Sequence, residues 1–354
     1  MSAQKYFLAV LTASGMAAMV AGDSVSSPAI AGTLTNSNIQ YMPSVVASDS
    51  PSDIIDPNIT DSRFGGVGSL SIGGGLLCTG TAISSSHILT AAHCLDSNHD
   101  GAVDYTNNEV QFNLNLGSDK SHQFTANELF LHDNYTGFSN PNLNDDLAIV
   151  SLDETLPEEA SIYNLAREAF SEGTTLTMVG YGLSGNGENG YTTNPSFTTK
   201  RVGENNADSF LSDDEGSDSQ EVFYMDFDGP TSDSNFLGGP SLGEDREAII
   251  GPGDSGGPSF LASDDSLLLA GVNTFTFNAG QEPGTFGTGS GGMLLPAYTS
   301  WIDGIVGSAE NSDDIIQRDP PEDDGDPTDI PEPSSLVGLV AVGTIWMWRR
   351  ARKF

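Results

Sequence analysis

A serine held in a glycine-rich turn is the residue of this chain best suited to chemistry. Gly253-Asp254-Ser255-Gly256-Gly257-Pro258 surrounds the Ser255 hydroxyl with little but backbone. A carbonyl carbon can approach such a hydroxyl, and two backbone N–H groups can point at the oxyanion that forms on attack. Glycine at 253 can adopt the conformation that aims its N–H inward, which a residue with a Cβ resists. With 41 glycines in the chain, the hexapeptide means little without partners. A serine hydroxyl needs a general base, and the base needs a third group to orient it. Of five histidines, His93 stands in Leu89-Thr90-Ala91-Ala92-His93-Cys94, after the apolar run from Ile83 to Leu89. The third group should be a carboxylate entering a buried strand. Asn144-Asp145-Asp146-Leu147-Ala148-Ile149-Val150 offers Asp146 directly before the apolar run, with Asp145 as its rival. His87, His99, His122 and His132 have no evident partner and are expected at the surface or in turns.

The elements that must position these groups read as short strands. Gly66 to Ile72, Glu109 to Leu116, Leu147 to Leu152, Leu176 to Gly180, Glu221 to Phe227 and Leu267 to Phe277 are short apolar or alternating runs broken by Gly, Asn and Asp. That pattern predicts an all-β barrel or sandwich. Helical periodicity is confined to Ala160 to Ser171 and Pro296 to Val306. The charge balance is 49 acidic against 12 basic residues, net −37. No basic footprint exists for nucleic acid, which is excluded as a partner. The acidity reads as a solvated surface suited to salty or calcium-containing surroundings. Cys78 and Cys94, the only cysteines, are either a disulfide or two buried thiols. An exported start favours the disulfide, and closing a loop of about 15 residues would stabilise the fold by ~3 kcal/mol.

Taken together, Thr90-Ala91-Ala92-His93-Cys94, Asp146-Leu147-Ala148-Ile149-Val150 and Gly253 to Pro258 resemble the chymotrypsin/trypsin-type serine endopeptidases, in that family's order of His, Asp and Ser. The resemblance covers about residues 61 to 306, and Gly271-Val272 and Trp301-Ile302 fit the family's last strand and terminal helix. It implies an all-β fold of two six-stranded antiparallel Greek-key β-barrels, about 61–160 and 172–306, with a short C-terminal helix and the site in the cleft between them. It also implies a Cys78–Cys94 disulfide and a catalytic set of His93, Asp146 and Ser255. The oxyanion hole would be formed at Gly253 and Ser255. No cofactor is required, and the partner is a peptide or protein substrate. The alternatives are a catalytically silent surface or matrix protein on the same fold, and an esterase. The α/β-hydrolase order of Ser, Asp, His does not match, because here histidine comes first.

Several features depart from the family. The pocket-base position falls on Ile249, six residues before the nucleophile, where trypsin-like enzymes carry aspartate. Thr276 falls where the widest pockets have glycine, and Ser290 is assigned to the opposite wall. Small or medium apolar side chains are therefore expected rather than Lys or Arg. The usual Ile-Val-Gly-Gly-like start is replaced by Asp61-Ser62-Arg63-Phe64-Gly65-Gly66. Asp254 is accordingly expected to pair with another cation, such as Arg63, or with backbone N–H groups, so that no cleavage is needed for activation. Asp96, Asn98, Asp100 and Asp104, with Gly101 at the sixth position, match the first half of a calcium loop. Position 12 is Asn107 rather than the usual glutamate, so a weak structural calcium site competes with a plain Asx-rich turn.

The ends carry addressing signals. Residues 1–22 read as a signal peptide, with one lysine before an apolar run. Residues 23–60, rich in Ser, Asn, Pro and Asp, read as a loosely ordered leader or propeptide. Residues 307–333 hold ten acidic residues, one arginine and several prolines, and read as a disordered linker. In residues 334–354, after Pro331-Glu332-Pro333, an apolar run from Leu336 to Trp348 precedes Arg349-Arg350-Ala351-Arg352-Lys353. This resembles the PEP-CTERM sorting signal of certain Gram-negative bacteria. It implies an exosortase-like partner, membrane contact through the C-terminal helix before processing, and a final place in the cell envelope, on the surface or outside the cell. A plain tail anchor is the other reading.

Overall fold

In the computed structural model the described residues are 46–47, 52, 54–138, 145–217, 219–263, 266–278 and 280–313. The expected signal peptide, the rest of the expected linker beyond 313, the expected sorting segment and most of the expected leader lie outside them. Among the described residues no helix is long and apolar enough to cross a membrane.

The chain is mostly β. Six antiparallel strands close into a barrel in the order Val67–Ile72, Leu76–Ala82, His87–Thr90, Ala148–Leu152, His122–Leu131 and Val110–Leu114, which pairs back onto the first. Alternation sends Leu70, Ile72, Ile88, Phe112, Leu114 and Val150 into one core, all fully buried. The second half forms a nine-stranded sheet rather than a second closed six-stranded ring. Its order is Ser209–Ser212, Gln220–Asp226, Gly289–Leu294, Leu267–Phe277, Pro258–Ala262, Thr174–Gly180, Lys200–Ala207 and Ile55–Asp56, with Asn164–Leu165 parallel to Leu267–Phe277. A second core, which includes Leu89, Ile149, Val179, Tyr181, Phe260 and Val272, draws on strands of both halves and joins them. Tyr181 links them further: its hydroxyl donates to the Val67 carbonyl at 3.1 Å and accepts from Asn115 Nδ2 at 3.1 Å.

The helix expected at Ala160 to Ser171 is absent. This stretch runs extended between the halves, and its N–H groups bond across the fold instead of along a helix. Tyr163 donates to Ala82 O at 3.1 Å and Ala166 to Leu269 O at 2.8 Å. The C-terminal helix is present and longer than its pattern suggested, Leu295–Asp313, so residues 307–313, expected as the start of the disordered linker, are helical instead. The end of the expected leader is part of the sheet, because Ile55–Asp56 pairs with Lys200 and Arg201. That pairing sets Asp56 Oδ2 2.9 Å from the ammonium of Lys200, which also donates to Phe64 O at 2.7 Å. Val46–Ala47 forms a further short ladder with Ala248–Ile249.

Candidate active site

His93 lies in a single 3-10 turn, Ala92–Cys94, directly after the barrel strand His87–Thr90. The flanking Ala91, Ala92 and Cys94 are buried and the imidazole side is left partly open. Asp146 enters just ahead of Ala148–Leu152, the strand paired with His87–Thr90, so the ladder itself brings the two side chains together. Asp146 Oδ2 is 2.6 Å from His93 Nδ1, and its Oδ1 accepts the His93 backbone N–H at 2.8 Å. The aspartate is 1% exposed and the imidazole 13%. Both carboxylate oxygens therefore face donors of one residue, which fixes the ring and favours the tautomer with hydrogen on Nδ1, leaving Nε2 as acceptor. Phe138 packs beside the ring, centroids 4.7 Å apart.

Asp145 takes the opposite direction. Its φ is +61°, and its carboxylate lies 3.0 Å from His132 Nδ1 without the alignment of a hydrogen bond. His132 is also packed edge-on against Tyr298 and Trp301, which corrects its expected place at the surface. His87 is likewise buried rather than exposed, with Ser84 Oγ 2.8 Å from its Nδ1.

The Ser255 turn belongs to the second half but is clamped by the first. Thr79, next to the disulfide residue Cys78, donates its N–H to Ser255 O and its hydroxyl to Gly253 O, both at 2.8 Å. Cys78 and Cys94 are disulfide-bonded, and Cys94 Sγ lies 3.8 Å from Ser255 O. The residue adjoining His93 thus touches the serine's own peptide. Gly253 has φ +100° and Gly256 +82°, conformations that favour glycine. A side chain at 256 would meet Thr90 Oγ1 at 2.0 Å, so close approach of the two halves demands glycine there. Gly256 N–H and Asn273 O, at 2.8 Å, tie the turn to Leu267–Phe277. The Thr79 clamp had no sequence signal beyond a hydroxyl beside a cysteine.

Asp254 is fully buried and accepts N–H groups from Gly251 at 3.1 Å and Gly182 at 3.5 Å. Arg63 is not its cation. It is exposed and donates to Ser263 O at 2.8 Å and to Ser266 O. The cation whose charge reaches Asp254 is Arg201, which is buried and donates to Gly182 O at 3.4 Å. Burial pushes the Arg201 guanidinium below its ordinary value, and the Asp254 charge opposes that shift. Arg201 escaped sequence reasoning, being one basic residue in an alternating strand.

Ile249 is fully buried, clustered with Phe227 and covered by Tyr191 and Phe286. Thr276 is exposed and sits directly opposite the buried Ser290 in the ladder between Leu267–Phe277 and Gly289–Leu294. In the Asp96 to Asp104 loop the carboxylates accept donors of the loop itself. Asp104 Oδ2 takes Ser97 N, Ser97 Oγ and Asn98 N, while Asp96 takes Asp100 N and Gly101 N. Those bonds are the ones a self-contained Asx turn makes.

Residues 58–290 match the trypsin family profile. The chain belongs to the trypsin family. A venom serine protease of Polistes dominula is 30% identical over 131 residues, 32% of this chain and 43% of that protein. The trypsin-family chain thus spans under half the length of this curated relative. Family, disulfide and mostly-β architecture with a closed six-stranded barrel agree with the expectations drawn from the motifs.

Proposed function

We propose that this chain is an exported serine endopeptidase that works through an acyl-enzyme. The observation that carries the reading is the His93–Asp146 pair, 2.6 Å apart with the aspartate buried, beside a serine turn clamped to the same barrel. Ser255 Oγ attacks the peptide carbonyl while His93 Nε2 takes its proton. The N–H groups of Gly253 and Ser255 receive the oxyanion. His93 then passes the proton to the leaving amine, and water, deprotonated by the same imidazole, releases the acid product. Asp146 holds the ring and stabilises its charged form. Arg201 and backbone N–H groups neutralise Asp254, which supports activity without a freed N-terminal ammonium. An apolar base at Ile249, with Thr276 and Ser290 as walls, favours small or medium apolar side chains over Lys or Arg. The signal peptide at 1–22 and the PEP-CTERM-like segment at 334–354 would export the protein and sort it to the envelope or surface, with an exosortase-like enzyme acting at the C-terminus.

Intact mass after a fluorophosphonate probe tests this reading. One adduct on the wild-type protein is expected, none on Ser255→Ala, and much slower labelling on His93→Ala. A folded wild-type protein that stays unlabelled, before and after limited proteolysis, would leave the silent-module reading instead.

A further inference from the structure

Away from His93 and Ser255, the hairpin between Ser209–Ser212 and Gln220–Asp226 gathers four carboxylates. Asp213, Asp214, Glu215 and Glu221 each bring one oxygen within 4.8 Å of the others. Asp214 and Glu215 are exposed and Asp213 is partly buried, and these three would by themselves be an ordinary acidic turn. Glu221 is different. It is 6% exposed, and its Oε2 is buried with no hydrogen-bond partner. A buried carboxylate oxygen without a donor is costly unless a proton or a cation supplies what is missing. Lys and Arg total only 12 in the chain, and among the described residues no ion pair engages any of these four groups.

We propose that Asp213, Asp214, Glu215 and Glu221 bind a calcium ion. Calcium takes oxygen ligands at about 2.3–2.6 Å, so opposed ligands stand at most roughly 5 Å apart, which accommodates the observed spread. An all-carboxylate set lacks the nitrogen and sulfur donors that zinc prefers. Magnesium demands a tighter octahedron, with opposed oxygens about 4.2 Å apart. The electrostatics agree with a cation-seeking cluster. Burial, then the charges of Asp145 and Asp213, pushes Glu221 up to about 8. Glu215 is raised to about 7, by its desolvation first and then by its contact with Asp213. Asp213 accepts the backbone N–H groups of Glu215 and, at 2.7 Å, of Ser217, which fixes its carboxylate within the cluster. The site also reaches toward the catalytic region, since Asp145, the neighbour of Asp146, is one of the charges acting on Glu221 and Glu215.

The test uses the full chain carrying Ser255→Ala, so that self-cleavage cannot imitate a stability change. The probe is calcium chloride alone, added after EDTA treatment and dialysis. One ion should bind with a Kd of ~10⁻⁴ M, the range of extracellular modules. At about 10 mM calcium the Tm should then rise by roughly 5–10 °C. Glu221→Gln should weaken binding at least tenfold, while its Tm in EDTA equals or exceeds that of the parent because a repelled acid is gone. Asp214→Asn, at an exposed position whose folding is not in question, should weaken binding as well. Asp104→Asn in the other acidic loop should leave the affinity unchanged. Calcium that shifts nothing up to about 10 mM overturns the proposal. So does binding that survives both Glu221→Gln and Asp214→Asn, or that disappears with Asp104→Asn.

Discussion

Gly180→Ala is the sharpest probe of how the serine turn is held. The φ of Gly180 is not in the left-handed region, so alanine strains no backbone there. Yet a Cβ at this position would lie 1.6 Å from Asp254 Oδ1 and 2.5 Å from its Cγ, and the three nearest atoms all belong to that one side chain. A carbon and an oxygen need about 3.2 Å, so the carboxylate must retreat by roughly 1.6 Å. Its N–H bonds from Gly251 and Gly182 cannot both survive such a move. Losing one such bond to a buried charge costs about 1.5–3 kcal/mol. Asp254 lies between Gly253 and Ser255, so the displacement is passed to the two N–H groups proposed to hold the oxyanion. Loss of an oxyanion donor lowers kcat by about 10²–10³. The expected result is a folded protein with KM within about threefold, kcat down by at least about 10² and fluorophosphonate labelling slowed in parallel. His93, Asp146 and Ser255 all keep their side chains in this variant. A folded variant with unchanged kcat would refute the role given to Asp254.

Asp146→Asn should lower kcat/KM by about 10⁴, because an amide cannot accept both His93 donors and so favours the wrong tautomer. Asp145→Asn, next to it, should cost less than about tenfold, since its carboxylate faces His132 instead. Replacing both Cys78 and Cys94 by alanine should remove about 3 kcal/mol, a Tm loss of roughly 6–12 °C in calorimetry. Burial pushes Asp208 up to about 9, Asp226 to about 6 and Glu247 to about 7. Their folded values exceed the unfolded ones, so the stability they contribute is complete below pH ~4 and is lost as pH rises through about 6 to 9. Tm should fall across that window, and Asp208→Asn should flatten its upper end; a Tm rising from pH 5 to 9 would contradict the buried placement. Lys200→Met should destabilise by about 3–5 kcal/mol by stranding Asp56, readable as a lowered urea midpoint.

The strands were legible because nearly every residue in them is buried, which leaves short apolar or alternating runs cut by Gly, Asn and Asp. Val67–Ile72, Val110–Leu114 and Ala148–Leu152 fall within two residues of the alternating runs that announced them. Ala160 to Ser171 misled because its apolar spacing mimics a helix. Those side chains face two different halves of the fold, and the backbone is satisfied by Ala82 and Leu269, far away in sequence. His93, Asp146 and the Ser255 turn could be singled out as candidates because their motifs are local. The Thr79 clamp, the Arg201 charge beside Asp254 and the Lys200–Asp56 pair depend on contacts between distant strands, which no window along the sequence contains. Asp145 and Asp146 could be told apart only by the family's motif, since the deciding quantity, φ of +61° at Asp145, leaves no mark in composition.

The scarcity of cations explains much of what distinguishes this chain. Twelve basic residues face 49 acidic ones, and the best-buried cations serve the frame of the site. Lys200 fixes the entry of Ile55–Asp56, and Arg201 stands near Asp254. Arg167 and Arg246 pair at the surface, with Asp303 and Glu204. The carboxylates drawn inside must then be satisfied by other means. Asp254 takes backbone N–H groups, and Glu247 accepts from Asp228 N and Leu242 N. Asp208 accepts the N–H of Asp226 at 3.1 Å, and each of these two groups perturbs the other. Backbone donors are finite, and where they run out a carboxylate must hold a proton or meet an external cation. Glu221 is such a place. The same shortage therefore accounts for both the expected fall in stability toward alkaline pH and the calcium binding proposed for the Asp213 to Glu221 hairpin. The two are separable, because Glu221→Gln should weaken the calcium effect on Tm while leaving in place the alkaline fall carried by Asp208, Asp226 and Glu247.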